Sequence, residues 1–438
     1  MLATIIIGGG PGGLGPLISA AQQGLLPAWL DRGVAIVDRQ DNLGGTLGRY
    51  GINSDSLGGS YLECLDAEGL PPSLRRLRLD PLTHEIARYR DGFPPLSLVH
   101  RYMHRLGEAI EGILHAHGNA QFLPRTEAKA LRLRRDGAIE VELRTANGEP
   151  TTLAARTAIV ALGGRQNAPE PPLLFDLTLA DDLMPSDYLL SRAGLHEARS
   201  ILASAGARRI VILGGSHSAY SVAWALLQLP EAQALRRGQI VILQRQAPPI
   251  FYPDREAAEA DLYSVAPGDI CPRTQRVNRL GGLRGNGRDL WRRVERRPGE
   301  TAEPRVVAMP LESLDETVLR SFIGNAALVI PAFGYRAKTL PLFDAQDRRL
   351  ALNADSGGAS VDDCCRMMLA DGRALPNVFG IGLGSGYRPS GSMGGEPNFR
   401  GQANSLWLYQ HDIGAVIHRA IHEQLQPADI VHGLQAST

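Results

Sequence analysis

Thr4-Ile5-Ile6-Ile7-Gly8-Gly9-Gly10-Pro11-Gly12-Gly13 decides how the chain is read. β-Branched residues in an unbroken run predict a strand buried on both faces, and the glycines after it let the backbone turn tightly into a helix. Gly8, Gly10 and Gly13 fall on the G-x-G-x-x-G spacing. In that pattern the first glycine serves the turn, the second lets a pyrophosphate approach the backbone, and the third packs helix on strand. Pro11 and Gly12 belong to the same cradle. Gly33-Val34-Ala35-Ile36-Val37-Asp38 supplies a second apolar strand ending in an acid suited to a ribose hydroxyl, with Arg39 beside it. A nucleotide site is therefore expected here.

Length and composition set the outer bounds. A chain of 438 residues predicts two or three domains, and 44% hydrophobic residues suffice for substantial cores. Acidic and basic side chains number 46 each, so nothing global points to nucleic acid or an anionic membrane. The chain enters a strand almost at once and carries no long apolar run, so the expected setting is cytoplasmic, without a leader or membrane span. Cys64, Cys271, Cys364 and Cys365 lack C-x-x-C or zinc-like spacing. The pairs His100/His104 and His418/His422 read as solvated helix faces, and no metal is expected.

Downstream of Asp38, the loop Asn42-Leu43-Gly44-Gly45-Thr46-Leu47 is shaped to lie against a flat ligand, with Gly45, Thr46 and Leu47 as contacts. Small polar groups follow at Asn53-Ser54-Asp55-Ser56. Residues 58–118 read as mostly helical. From Ala128 to Gly163 the period becomes alternating, with Asp136-Gly137 and Asn147-Gly148 as hairpin turns, which predicts an antiparallel meander. It leads into the buried strand Thr157-Ala158-Ile159-Val160, ending at Gly163-Gly164. A linker of low periodicity then runs to about Pro185.

The opening pattern recurs at Arg209-Ile210-Val211-Ile212-Leu213-Gly214-Gly215-Ser216-His217-Ser218-Ala219. Its partner strand, Gln239 to Gln244, ends without an acid and is followed by Arg245, a pairing that suits a 2′-phosphate and so NADPH. Gly214, Ser216, His217 and Ser218 are the expected pyrophosphate contacts. Residues 247–300 interrupt the rhythm with aromatic, proline and arginine residues; the insertion reads equally as a basic binding loop for an acidic or carrier-bound substrate and as a solvated basic surface. A late strand at Asn377 to Gly382 and a helix starting near Gly401, with Asn404 at its head, complete the chain.

This ordered set of motifs resembles the flavoproteins with two dinucleotide-binding domains, the superfamily of glutathione reductase and the class B flavin monooxygenases. The resemblance implies an α/β fold of two Rossmann-like domains with the meander inside the FAD domain. Residues 1–165 and 340–438 would form the FAD domain, and 205–338 the NAD(P)H domain with its insertion at 247–300. It adds Gly163, Gly382 and Asn404 to the flavin contacts. In most members the last strand ends in Gly-Asp, but here Leu383 takes the acid's place. Missing dithiol motifs argue against a disulfide reductase. Ala332-Phe333-Gly334-Tyr335 and Asn53-Ser54 look like the N-hydroxylating and flavin-containing monooxygenases, which would make Asn53 and Ser54 catalytic. The implied reaction is NADPH-dependent insertion of one atom of molecular oxygen, through a flavin C4a-peroxide, into a small amine, sulfur or ketone substrate. Alternatives are an FAD-dependent dehydrogenase or oxidase, and a scaffold without turnover. A homo-oligomer is compatible with all of these.

Overall fold

A computed structural model describes residues 1–167, 177–180 and 182–425. Much of the predicted linker, residues 168–176 and 181, lies outside the described residues. Two large sheets carry the molecule. The first runs β14-β13-β4-β5-β6-β1-β2-β3, with β16 on β6 and β15 on β16. Here β1 is Leu2–Ile7, β2 Val34–Val37, β3 Ala120–Leu123, β4 Glu127–Leu133, β5 Ile139–Arg144 and β6 Pro150–Val160. The late strands are β13 Leu342–Phe343, β14 Arg349–Leu350, β15 Arg366–Met368 and β16 Ala374–Gly380. β3, β2, β1, β6 and β16 are parallel, and Ile5, Ile6 and Ile7 are buried between Ala158, Ile159 and Val160 on one side and Ala35, Ile36 and Val37 on the other.

The meander forms where the alternation places it. β4, β5 and β6 pair antiparallel, turning at Gly137 and Gly148, both with φ +80. Its third strand and the buried Thr157–Val160 stretch are one element, β6, whose first half pairs with β5 and whose second half pairs with β1 and β16. At the centre of this sheet the Thr4 hydroxyl donates to Thr157 Oγ1 at 2.9 Å, because Thr157 donates its own proton to the Ala3 carbonyl and Trp29 Nε1 donates to Thr4 Oγ1. All three buried donors are satisfied, so the network fixes register at little cost.

The second sheet is parallel throughout, in the order β10-β9-β8-β11: β8 Arg209–Leu213, β9 Ile240–Gln244, β10 Val306–Pro310 and β11 Ala326–Pro331. A two-stranded ribbon, β7 Gly164–Gln166 with β12 Tyr335–Ala337, bridges the two sheets. The expected C-terminal helix is two helices, Leu406–Gln410 and Asp412–Gln424, broken at His411, whose ψ of -95 departs from helical geometry. Neither begins near Gly401. The histidine pairs also differ from expectation. His418 is 4% exposed against Trp29, and His104 Nε2 donates to the Gly45 carbonyl at 3.0 Å while its ring meets that of His100. Both helices have turned these faces toward packing partners. No helix among the described residues is long and apolar enough to cross a membrane.

Candidate active site

Both glycine turns are built the same way. Gly8 sits at φ +104, and a Cβ there would meet the Ala161 carbonyl oxygen at 2.4 Å; Gly214 sits at φ +137, and a Cβ there would meet the Ala332 carbonyl oxygen at 2.5 Å. Ala161 and Ala332 each follow the strand parallel to the fingerprint strand. Gly13 lets its helix lie on the strand, since its Cβ would come within 1.8 Å of the Gly8 carbonyl oxygen. At the second turn Ala219 fills the equivalent place, fully buried.

Gly10 differs from its neighbours. A Cβ there meets only Gly45 Cα, at 3.8 Å, so the protein itself leaves the position open. The same openness holds at Gly163 and Gly382, whose φ values are +71 and +117 and whose added Cβ atoms would meet nothing closer than 3.9 Å. The helix Pro11–Gln22 starts at Gly10 with no side-chain cap and no acid in its first turn. Unfilled backbone with uncapped N–H groups is what a dinucleotide pyrophosphate requires. These residues therefore fit FAD. Asp38 accepts the Gly9 amide at 2.6 Å and the Gln40 amide at 2.8 Å, tying the end of β2 to the turn. Gly45 leans on Pro11 and Gly10; Thr46 and Arg39 are exposed and Leu47 is half-buried. Leu383 is 37% exposed, and its side chain lies against Gly164.

At the second turn the helix His217–Leu227 has Ser216 as its first cap residue, again without a side-chain cap or an acid in the first turn. His217 Nε2 lies 3.0 Å from the Gly282 carbonyl oxygen; a carbonyl only accepts, so Nε2 carries a proton. Burial holds its pKa below the ordinary value, with Asp55 pulling the other way and Arg284 pushing with the burial. Ser218 is half-buried beside Tyr335, and Arg245, just past β9, is exposed.

Residues from the first half approach the second turn through the segment Asn53–Ser56. Asn53 bridges to Pro95, and Ser54 is 4% exposed with its hydroxyl 2.6 Å from Tyr61 Oη and accepting the Ser56 amide at 2.9 Å. Asp55, next in the chain, is exposed and lies within electrostatic reach of His217, Arg284 and Tyr409. Asn404 stands before the Leu406–Gln410 helix, accepting a long hydrogen bond of 3.4 Å from the Tyr409 hydroxyl. Asp187 ties the two halves together: its carboxylate takes Tyr50 Oη at 2.6 Å, Tyr335 Oη at 3.1 Å and Arg49 at 2.9 Å. Burial first, then the bond to this carboxylate, pushes Tyr50 up to about 12.

Sequence reasoning missed Asp187, Tyr50 and Tyr335 as a unit; only their scatter over three segments hid them. It also left the insertion undecided. Most of its arginines are spent internally: Arg292 on Asp261 and Glu300, Arg293 on Glu303, and Arg288 on the Phe251 carbonyl. Arg273 reaches Asp412 at 2.6 Å. Among the described residues, Asp362, Asp363 and Cys364 bring potential metal-ligand atoms together, but Asp362 already accepts from the Cys364 and Arg366 amides and the Arg366 guanidinium. Burial pushes the Cys365 thiol up, away from thiolate chemistry.

No protein-family model matches the chain. A curated relative, the CMP-5′-(3-aminopropyl)phosphonate hydroxylase of Streptomyces rubellomurinus, is 34% identical over 428 residues, 96% of this chain and 97% of that one. The ornithine N-hydroxylase of Kutzneria sp. 744, solved with reduced FAD, NADP⁺ and L-ornithine, is 15% identical and superposes with a TM-score of 0.57 over 97% of this chain and 100% of its own. The FAD-bound cadaverine monooxygenase of Erwinia amylovora is 13% identical, with a TM-score of 0.57 over 98% and 96%. The L-lysine 6-monooxygenase of Pseudomonas syringae is 16% identical, with a TM-score of 0.56 over 97% and 100%.

Proposed function

The chain belongs to the class B flavin-dependent N-hydroxylating monooxygenases, and we propose that it hydroxylates the primary amine of an aminoalkylphosphonate joined to a nucleotide, using FAD, NADPH and molecular oxygen. The observation that carries the substrate is the 34% identity, across 96% of the chain, to a hydroxylase of a CMP-linked aminopropylphosphonate. The two matching glycine cradles support the cofactors. Oxygen insertion agrees with the family, and desaturation finds no support in it.

In this reading Gly8, Gly10, Pro11, Gly12 and Gly13 hold the FAD pyrophosphate and Asp38 its ribose, with Arg39, Gly45, Thr46, Leu47, Gly163, Gly382 and Asn404 around the rest. Gly214, Ser216, His217, Ser218 and Arg245 serve NADPH. We assign residues 1–165 and 340–438 to the FAD domain and 205–338 to the NADPH domain. Bound flavin supplies the hydride acceptor and the activation of oxygen; the chain supplies position and a dry crevice. An amine attacks only as the free base, so its ammonium form must lose a proton on the way in. Asp55 is an acidic side chain able to hold that ammonium as it enters, and the proton passes to solvent. Burial of His217, which lowers its pKa, works against a competing positive charge there. Asn53 borders the reacting edge, and Ser54, with its hydroxyl engaged by Tyr61, acts by holding the Asn53–Asp55 segment in place.

The test is incubation of the FAD-loaded protein with NADPH, oxygen and CMP-5′-(3-aminopropyl)phosphonate. The expected product is heavier by one oxygen atom, reacts as a hydroxylamine, and forms one for one with NADPH consumed. Oxidation of NADPH with release of hydrogen peroxide alone, the amine being recovered unchanged across nucleotide-linked and free aminoalkylphosphonates, would overturn the reading.

A further inference from the structure

The segment Asn278–Gly285 sits where the insertion touches both halves of the molecule. His217 meets it at the Gly282 carbonyl, Phe93 lies against Gly285, and Phe399 against Gly281. Its backbone is fixed from within: Gly282 N donates to the Asn278 carbonyl at 2.8 Å, Leu283 N to the Pro249 carbonyl at 2.7 Å, and Arg284 Nη2 to the Arg279 carbonyl. Arg284 also lies over the Phe251 ring, 4.4 Å from its centre.

The Arg279 side chain takes no part in this scaffold. Its Nε and one terminal nitrogen are buried without a hydrogen-bond partner. A buried guanidinium donor left unpaired is costly to the fold, which a ligand's oxygen would relieve. Arg276 and Arg279 both act on Arg284 as like charges, and burial adds to them in pulling its pKa down; Asp55 and Glu396 oppose. Glu396 spends one oxygen on the Leu280 amide at 2.7 Å and the Gly281 amide at 3.3 Å, leaving the other buried and unpaired. Arg276 and Arg279 thus lie within electrostatic reach of Arg284, and the two unpaired Arg279 donors belong to a fork of the kind that matches a phosphate or phosphonate.

We propose that Arg279, with Arg276 and Arg284, forms the subsite that takes the phosphorylated end of the substrate at the mouth of the crevice, while Asp55 faces the amine. This rests on the reading of the substrate given above, and it deepens that reading by dividing recognition between two oppositely charged ends. The anion could also be the phosphate of NADP⁺, so both sources enter the test.

The FAD-loaded protein, saturated with NADP⁺, is titrated calorimetrically with CMP and with inorganic pyrophosphate, and NADP⁺ is titrated separately. Arg279→Ala and Arg276→Ala are expected to weaken CMP and pyrophosphate binding at least tenfold, and Arg279→Lys by less, because it keeps the charge and loses the fork. Arg134→Ala, on the far meander, serves as the control. Equal affinities in wild type and both alanine variants, or no binding by the wild type, would sink the proposal. So would a loss confined to NADP⁺. Arg276 is exposed, so its variant decides the matter if Arg279→Ala does not fold. Arginine-dependent binding in a protein that hydroxylates no amine leaves the subsite standing and removes only the substrate reading.

Discussion

Single glycines divide into those that the fold needs and those that the ligand needs. Gly13 belongs to the first kind, because a methyl group there would stand 1.8 Å from the Gly8 carbonyl oxygen. Gly13→Ala is expected to cost about 3 kcal/mol or more by overpacking, read as a fall in the urea midpoint. We propose that Gly10 is of the second kind: φ is -79 and the nearest protein atom to its Cβ is 3.8 Å away. Gly10→Ala is therefore expected to keep the midpoint of the flavin-free protein within about 0.5 kcal/mol and to purify colourless. A yellow Gly10→Ala protein with full flavin content would show that the pyrophosphate does not pass there. His418 gives a pH test at the same scale. Burial against Trp29, with His422 adding to it, lowers its pKa to about 4. The unfolded chain binds this proton from about pH 6.5 downward and the folded chain does not. Stability is thus fully present above that pH and falls toward pH 4. His418→Phe should flatten this part of the melting-temperature profile, by roughly 2 kcal/mol near pH 5.

Among the elements, the strands were the most legible. Ile5–Ile7, Val34–Val37 and Ile240–Leu243 form unbroken buried runs, and both DG and NG turns fall at the meander's corners. Those signals are local, set by the strand period and by φ > 0 at a glycine. What sequence left open is held by contacts across distant segments. His100 and His104 look solvated by helical period, but their face is covered by the Gly44–Gly48 loop, which lies far upstream in the chain, well before the helix begins. The insertion's basic character likewise conceals which arginines are spent. Glu396 is the residue that anchors the crevice segment, and removing it strands the Leu280 and Gly281 amides. Glu396→Ala is expected to destabilise the fold by about 1–3 kcal/mol and to speed hydrogen exchange at those two amides. Unchanged exchange would mean that Phe399 packing alone holds the segment.

At the scale of the whole molecule, two sheets with their own cores must be kept in register so that a nicotinamide and a flavin can meet between them. β7 and β12 supply a hinge of three residues on each side, and Asp187 gathers one phenol from each half, Tyr50 from beside the first glycine loop and Tyr335 from β12. The carboxylate is only partly exposed, and hydrogen bonds to a charged group contribute about 1.5–3 kcal/mol each. This clamp bears on the transfer between cofactors more than on holding either one, since neither the Gly8–Gly13 turn nor Asp38 touches it. Asp187→Ala is therefore expected to retain FAD, to lower stability, and to slow the anaerobic bleaching of the flavin band by NADPH by about tenfold or more, because misplacement of reacting partners by even 1 Å carries penalties of that size. Replacing Arg49 instead removes an exposed partner and should slow it far less. If both variants bleach at the wild-type rate, the two halves are aligned by the hinge ribbon and the bound cofactors themselves, and the Asp187 cluster is only a strut.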